Sequence, residues 1–230
     1  MPPMWLTVVA WIALAAGFVS ATIVLVDIYV RGYRLKMPVM EAVWSATGLY
    51  LGPLAVWGYW RFGRVTSTRW LREHDLQRPP DKPGWAAVAV GVSHCGAGCT
   101  IGDIVAEFTV FALGISIAGT ALWYEYIGDY LLAVTLGMLF QYFAIAPMRG
   151  LDFREGIKAA AKADILSLSA FEVGLFAWMA LMAFVFFPGP HLHPDNPVYW
   201  FLMQIGMIIG FATAWPANVW LIRTGIKEAM

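Results

Sequence analysis

Six stretches of this chain are long, apolar and poor in charge, and few folds accommodate that pattern. A bilayer core about 30 Å thick takes roughly 20 apolar residues per helix and offers no partner to unpaired backbone groups, so such stretches read as membrane-spanning helices. They run over about Trp5 to Val30, Pro38 to Trp60, Trp85 to Leu113, Leu122 to Met148, Ala161 to Phe187 and Pro197 to Ile222. Hydrophobic residues make up 60% of the chain and charged residues 13%, against about a quarter charged in ordinary soluble domains. The expected fold class is therefore all-α, a polytopic transmembrane helix bundle of about six spans, with residues 1–230 forming a single domain. Pro38 and Pro197 suit first helical turns, Pro188 stops the fifth span, and residues 63–84 form the one sizeable polar loop, a cytoplasmic connector.

The distribution of Lys and Arg sets the expected orientation. With the amino terminus in the cytoplasm, that side collects Arg61, Arg64, Arg69, Arg72, Arg78, Lys82, Arg149, Arg154, Lys158, Lys162, Arg223 and Lys227, while the other side holds only Arg31, Arg34 and Lys36. Positive charge favours the cytoplasmic face. The reading is thus a multi-pass protein of the cytoplasmic membrane with both termini inside, although the first loop runs against the rule. The first segment lacks a basic leader and a cleavage site and stays as a span. The connector bearing His191, His193 and Asp195 then lies outside, as does the YEYIGDY turn with Glu125 and Asp129. Net charge is zero with no basic cluster, so nucleic acid is excluded as a partner. Pro53, Pro147 and Pro216 each precede an Arg and a Gly at similar distances, which suggests a two-helix unit used three times, though cytoplasmic helix ends commonly look this way.

The third span reads SHCGAGCTIGD over residues 93–103 and holds the only two cysteines. At about 100° per residue, Cys95, Cys99 and Asp103 fall on one face, and a rise of about 1.5 Å per residue from Trp85 puts the thiols near mid-membrane. Gly96, Gly98 and Gly102 open the helix surface to a neighbour. Inert packing, a redox pair, proton transfer and soft-metal ligation all remain open. Packing alone leaves His94, Asp103 and Glu107 unexplained, since ionisable groups are costly within a span. A disulfide needs local unwinding, because thiols at this spacing run parallel. Thiolate and imidazole suit Cu(I) or Zn(II). In the fifth span Asp164, Leu168 and Glu172 share a face, with Glu172 level with the thiols. Gln141 and Gln204 add polar groups to the fourth and sixth. His191 and His193 form an exposed pair beside Asp195.

The segments SHCGAGCTIGDIVAEF, FQYFAIAPMRG, FEVGLFAWMALM and HLHP resemble a bacterial membrane family catalogued as domain of unknown function 4396. The family signature corresponds here to His94, Cys95, Gly96, Gly98, Cys99, Gly102 and Asp103. The resemblance implies a bacterial inner-membrane location and an association with copper-handling proteins, without an established activity. The resulting expectation is a protein that passes or delivers a soft metal ion, Cu(I) first and Zn(II) second, with enzymatic activity left open. Cys95 and Cys99 are the core ligands, His94 a third ligand or orienting base, Asp103 and Glu172 charge compensators, and His191 and His193 an outer collecting point. Glu107, Gln141 and Asp164 form a proton or polar relay. Two rivals stand beside it: a membrane thiol-disulfide oxidoreductase using Cys95 and Cys99, and a structural subunit of a membrane complex. The partners expected are the lipid bilayer, a metal ion, and a second copy or another membrane protein.

Overall fold

The computed structural model describes residues 2–115, 121–150, 152–189 and 191–227, and the elements found there are helices. These are α1 (Met4–Leu25, extended by a π-helical turn Val26–Val30), α2 (Val39–Leu51), α3 (Pro53–Gly58, extended by a π turn Tyr59–Gly63), α4 (Thr68–Glu73), α5 (Gly84–Leu113), α6 (Leu122–Arg149), α7 (Phe153–Leu181, with a π turn Met182–Phe186) and α8 (Pro197–Arg223). Five of them, Met4–Val30, Gly84–Leu113, Leu122–Ala144, Phe153–Phe186 and Pro197–Arg223, are long and apolar enough to cross a membrane. The chain is a multi-pass membrane bundle. Its outer surface carries Trp5, Ile12, Phe18, Leu131 and Val173, the arrangement expected where lipid, not water, is the solvent.

Local chemistry explains the boundaries. Pro197 occupies the first turn of α8, where Asn196 caps by accepting from the Val198 amide at 2.9 Å, and Asp152 caps α7 by accepting from the Glu155 amide at 2.7 Å. Such caps satisfy backbone donors that a helix leaves unpaired. Gly114 closes α5 in the left-handed conformation, and α7 ends at Phe186, just before Pro188.

The second membrane segment is built differently from the other five. Gly52, at φ 55 and ψ −132, breaks it, and Pro53 starts a new helix at once. This is backbone territory open mainly to glycine. The α3 arm then folds back along α2. Trp44 of α2 meets Tyr59 of α3 edge to face at 6.0 Å, and a Cβ on Gly58 would lie 3.3 Å from the Trp44 ring. Along α1, Gly17 adjoins Leu49 and Gly48 adjoins Ala21, whereas the Tyr59 hydroxyl donates to Asp27 Oδ2 at 3.0 Å. The chain thus enters beside Asp27, turns level with Gly17 and returns to Asp27. Residues 39–63 form a re-entrant hairpin and not a crossing.

That geometry sets the second segment apart within the expected bundle of about six. The two ends of the hairpin are tied together: Leu35 pairs with Ser67, Arg64 forms a 3.3 Å ion pair with Asp27, Tyr33 donates to Glu73 at 3.0 Å and Arg69 donates to the Arg31 carbonyl. Residues 64–73 are accordingly a structured cap containing α4 and not a plain loop. Within it Arg69 hydrogen-bonds Glu73 and holds that carboxyl below its ordinary range. Arg31, Arg34 and Lys36 therefore share a face with Arg61 to Lys82. The connectivity of α5 to α8 brings Arg149 to Lys162 and Arg223 to Lys227 to the same face, so all 15 basic residues gather there. Pro53 opens a returning arm while Pro216 sits inside α8, so the suggested repeat of segment ends does not extend to a shared architecture.

A second correction concerns Glu125 and Asp129. Expected in an outer turn, they lie inside α6 on its buried face, with Asp129 0% exposed. The reason is periodicity: Glu125, Asp129, Ala133, Gly137 and Gln141 recur every four residues and pack against α5. Gly98 and Gly102 permit this, since a Cβ there would sit 3.0 Å from Gly137 N and 2.8 Å from Ala133 N.

The hairpin predicts a labelling pattern. In sealed vesicles, Lys36→Cys and Arg72→Cys should react with an impermeant maleimide from one side and Met4→Cys from the other. Labelling of Lys36→Cys and Arg72→Cys from opposite sides would contradict the re-entrant geometry.

Candidate functional site

The polar interior is assembled by stripes at four-residue spacing on three helices. On α5 the stripe is Gly91, Cys95, Cys99, Asp103 and Glu107; on α6 it is Glu125 to Gln141; on α7 it is Ala160, Asp164, Leu168 and Glu172. Four-residue steps keep side chains on one slowly drifting helix face. All three stripes turn inward, and Cys95, Cys99, Glu107, Asp129, Gln141 and Asp164 are each 0% exposed.

The lower part of the site centres on Cys95. Its thiol donates to Asp164 Oδ1 at 2.9 Å and lies 2.9 Å from Ser167 Oγ. Asn218 of α8 donates to that same hydroxyl at 2.6 Å. Lys227 reaches in from beyond α8 and donates to Cys95 Sγ at 3.1 Å, Asp164 Oδ1 at 3.3 Å and the Gly91 carbonyl at 3.3 Å. Among the described residues Asp164 Oδ2 has no hydrogen-bond partner, and it points at Gly137, whose added Cβ would lie 2.9 Å away. His94 packs near Phe140 at 6.2 Å between ring centres, and neither of its ring nitrogens is hydrogen-bonded among the described residues.

Toward the other face the carboxylates accumulate. Glu172 stands beside Cys99, and Asp103 interacts with both Glu172 and Asp129. Glu107 lies beside Asp129, Glu125 and Tyr199. Among the described residues, the carboxyl oxygens of Asp103, Glu107, Asp129 and Glu172 find no partner at hydrogen-bond geometry. Unpaired buried polar groups are rare because each forfeits its hydration without compensation. The series leads to a cavity of about 390 Å³ at the end of the bundle away from the basic residues, lined by Glu125, His191, His193, Tyr199, Met179 and Met182.

The structure brings Cys95, Asp164 and His94 into one neighbourhood, and Cys99, Glu172 and Asp103 into the next, one helical turn along. It places Glu107 in the half toward that cavity, Gln141 at the depth of His94, and His191 and His193 at the cavity itself, away from the thiols. Among the described residues, no three His, Cys, Asp or Glu side chains are gathered as a metal-binding group. The hairpin supplies Tyr50, which sequence reasoning did not assign, and gives Gln204, a polar group expected in the sixth span, its partner. Tyr50, near its tip, abuts Gly96, and Gln204 of α8 donates to the Leu49 carbonyl at 2.6 Å, satisfying backbone exposed by the break. Lys227 and Asn218 were also missed; neither belongs to a periodic polar stripe.

Cys95 and Cys99 are free thiols, turned toward different carboxylates. The expected outcome of thiol titration is two equivalents per chain, reacting with an aromatic disulfide reagent only after unfolding. Fast reaction of the folded protein would contradict the burial. The ion pair gives a further expectation: removing one partner of a buried charge pair costs roughly 3–5 kcal/mol, so Asp164→Ala should lower the thermal midpoint in detergent markedly. An unchanged midpoint would contradict the pairing of Asp164 with Lys227.

No curated protein and no solved structure matches this chain. A family profile described as domain of unknown function (DUF4396) matches residues 84–227, which spans α5 to α8 and Lys227 and leaves out α1 and the hairpin. By that match, covering more than half of its length, the chain belongs to the DUF4396 family.

Proposed function

We propose that this protein passes a soft metal ion, Cu(I) in preference to Zn(II), across the bacterial cytoplasmic membrane. The observation that carries the reading is that both thiols are enclosed in the bundle, each beside a carboxylate of α7. Sulfur donors select soft ions, and the anionic groups compensate the charge of a cation in a medium of low dielectric. The ion enters through the cavity at His191 and His193, proceeds past Glu125, Glu107 and Asp129, and exchanges onto Asp103, Glu172 and Cys99. It then reaches Cys95, Asp164 and His94.

Orientation follows from the basic residues. With all 15 on one face, the positive-inside rule assigns that face to the cytoplasm. The carboxyl-terminal end of α8 is then inside, the amino-terminal end of α1 and the His191 cavity outside, and the column runs from the outer face toward Lys227. The redox alternative needs Cys95 and Cys99 to meet in one bond. Their separate carboxylate partners favour the cation reading.

Purified protein titrated with Cu(I) without oxygen, against a chromophoric chelator, tests the proposal. The wild type should bind copper and Cys95→Ser/Cys99→Ser should lose it, whereas full copper stoichiometry in the double variant would refute the reading. Binding should also weaken as pH falls, because a thiol must release its proton to ligate. Affinity that rises with acidity would argue against thiolate ligands.

A further inference from the structure

Lys227 is the one lysine or arginine among the described residues whose side chain is wholly withdrawn from the surface, at 0% exposure. Its backbone is bent into place. Gly225, at φ 69, turns the chain after α8, and the amides of Ile226 and Lys227 both donate to the Leu221 carbonyl, at 3.0 and 3.1 Å. The aliphatic stem passes Gly91, whose added Cβ would lie 3.8 Å from Lys227 Cε. A lysine ammonium has three protons to donate, and here three acceptors meet it: the Gly91 carbonyl, Cys95 Sγ and Asp164 Oδ1.

Two of those acceptors are the groups a transported cation would need. An ammonium and a metal ion carry the same sign of charge and seek the same carboxylate and sulfur electron pairs, so they exclude each other at this position. We infer that Lys227 is a tethered competitor of the transported cation, holding Asp164 and Cys95 until an arriving ion displaces it. This rests on the cation reading proposed above and adds its mechanism of release. Asp164 is never left uncompensated in the low-dielectric interior, because either the ammonium or the metal ion is beside it. On displacement the ammonium leaves toward the basic face and the Cys95 thiol proton passes to water. As the ion departs, the ammonium returns. The device favours unloading at the basic face, where the tether is anchored.

The test uses full-length protein in detergent and Cu(I) without oxygen. Lys227→Met should raise Cu(I) affinity about tenfold or more, while Lys227→Arg, which keeps the charge, should not. Unchanged or weakened affinity in Lys227→Met would overturn the inference. A second measurement avoids the variant and decides the matter if Lys227→Met does not fold. Amine acylation of the wild type, followed by peptide mass analysis, should find Lys227 protected without metal and modified about tenfold faster with bound Cu(I). Copper bound by the wild type with Lys227 still protected would sink the inference alone. Absence of copper binding by both wild type and Lys227→Met would sink the cation reading together with it.

Discussion

An ionisable side chain within a bilayer has to find its partners inside the protein, and this constraint governs the bundle. The lipid-facing surface is apolar, while the interior holds two thiols, an imidazole and a run of carboxyl groups on α5, α6 and α7. Bringing so many polar groups to one axis requires helices that approach closely. Gly98 and Gly102 provide this on α5, because any side chain there would strike the backbone of α6. Glycine thus sets the spacing, and the four-residue stripes decide what faces inward.

The hairpin of α2 and α3 obeys the same constraint from another direction. Its tip ends within the membrane segment, where a broken helix exposes carbonyls that lipid cannot satisfy. Gln204 donates to Leu49 and the neighbouring α1 packs against the tip at Gly17. Broken helices at this depth are tolerated where protein encloses them, and they recur beside binding sites in transporters. Tyr50 carries the hairpin to Gly96, between Cys95 and Cys99. The hairpin therefore walls the thiol region while leaving its chain ends with the basic residues.

Much of this was legible in the sequence, and the gaps have physical reasons. Apolar length gave five of the six membrane segments, four with both ends close to those observed and the fifth starting at Phe153 instead of Ala161 because its basic first turns are helical too, and the α5 and α7 stripes were readable from spacing. Residues 38–60 have the composition of a span, and only the sequence Leu51-Gly52-Pro53, together with three basic residues on the wrong side of the membrane, hinted at a return. Asp129 was misplaced because the turn-like YEYIGDY string drew attention away from its four-residue register with Ala133 and Gly137. Lys227 had no local signal at all, since its burial depends on where α8 ends relative to Gly91. The shared neighbourhood of Cys95 and Asp164 required α5 and α7 to be adjacent, which no single helix encodes.

Copper K-edge X-ray absorption on the Cu(I)-loaded wild-type protein addresses the central claim most directly, because it reports the donors around the ion itself. Thiol ligation within the bundle predicts sulfur in the first coordination shell, lost in Cys95→Ser/Cys99→Ser. A shell made only of nitrogen and oxygen, unchanged in that variant, would contradict the account.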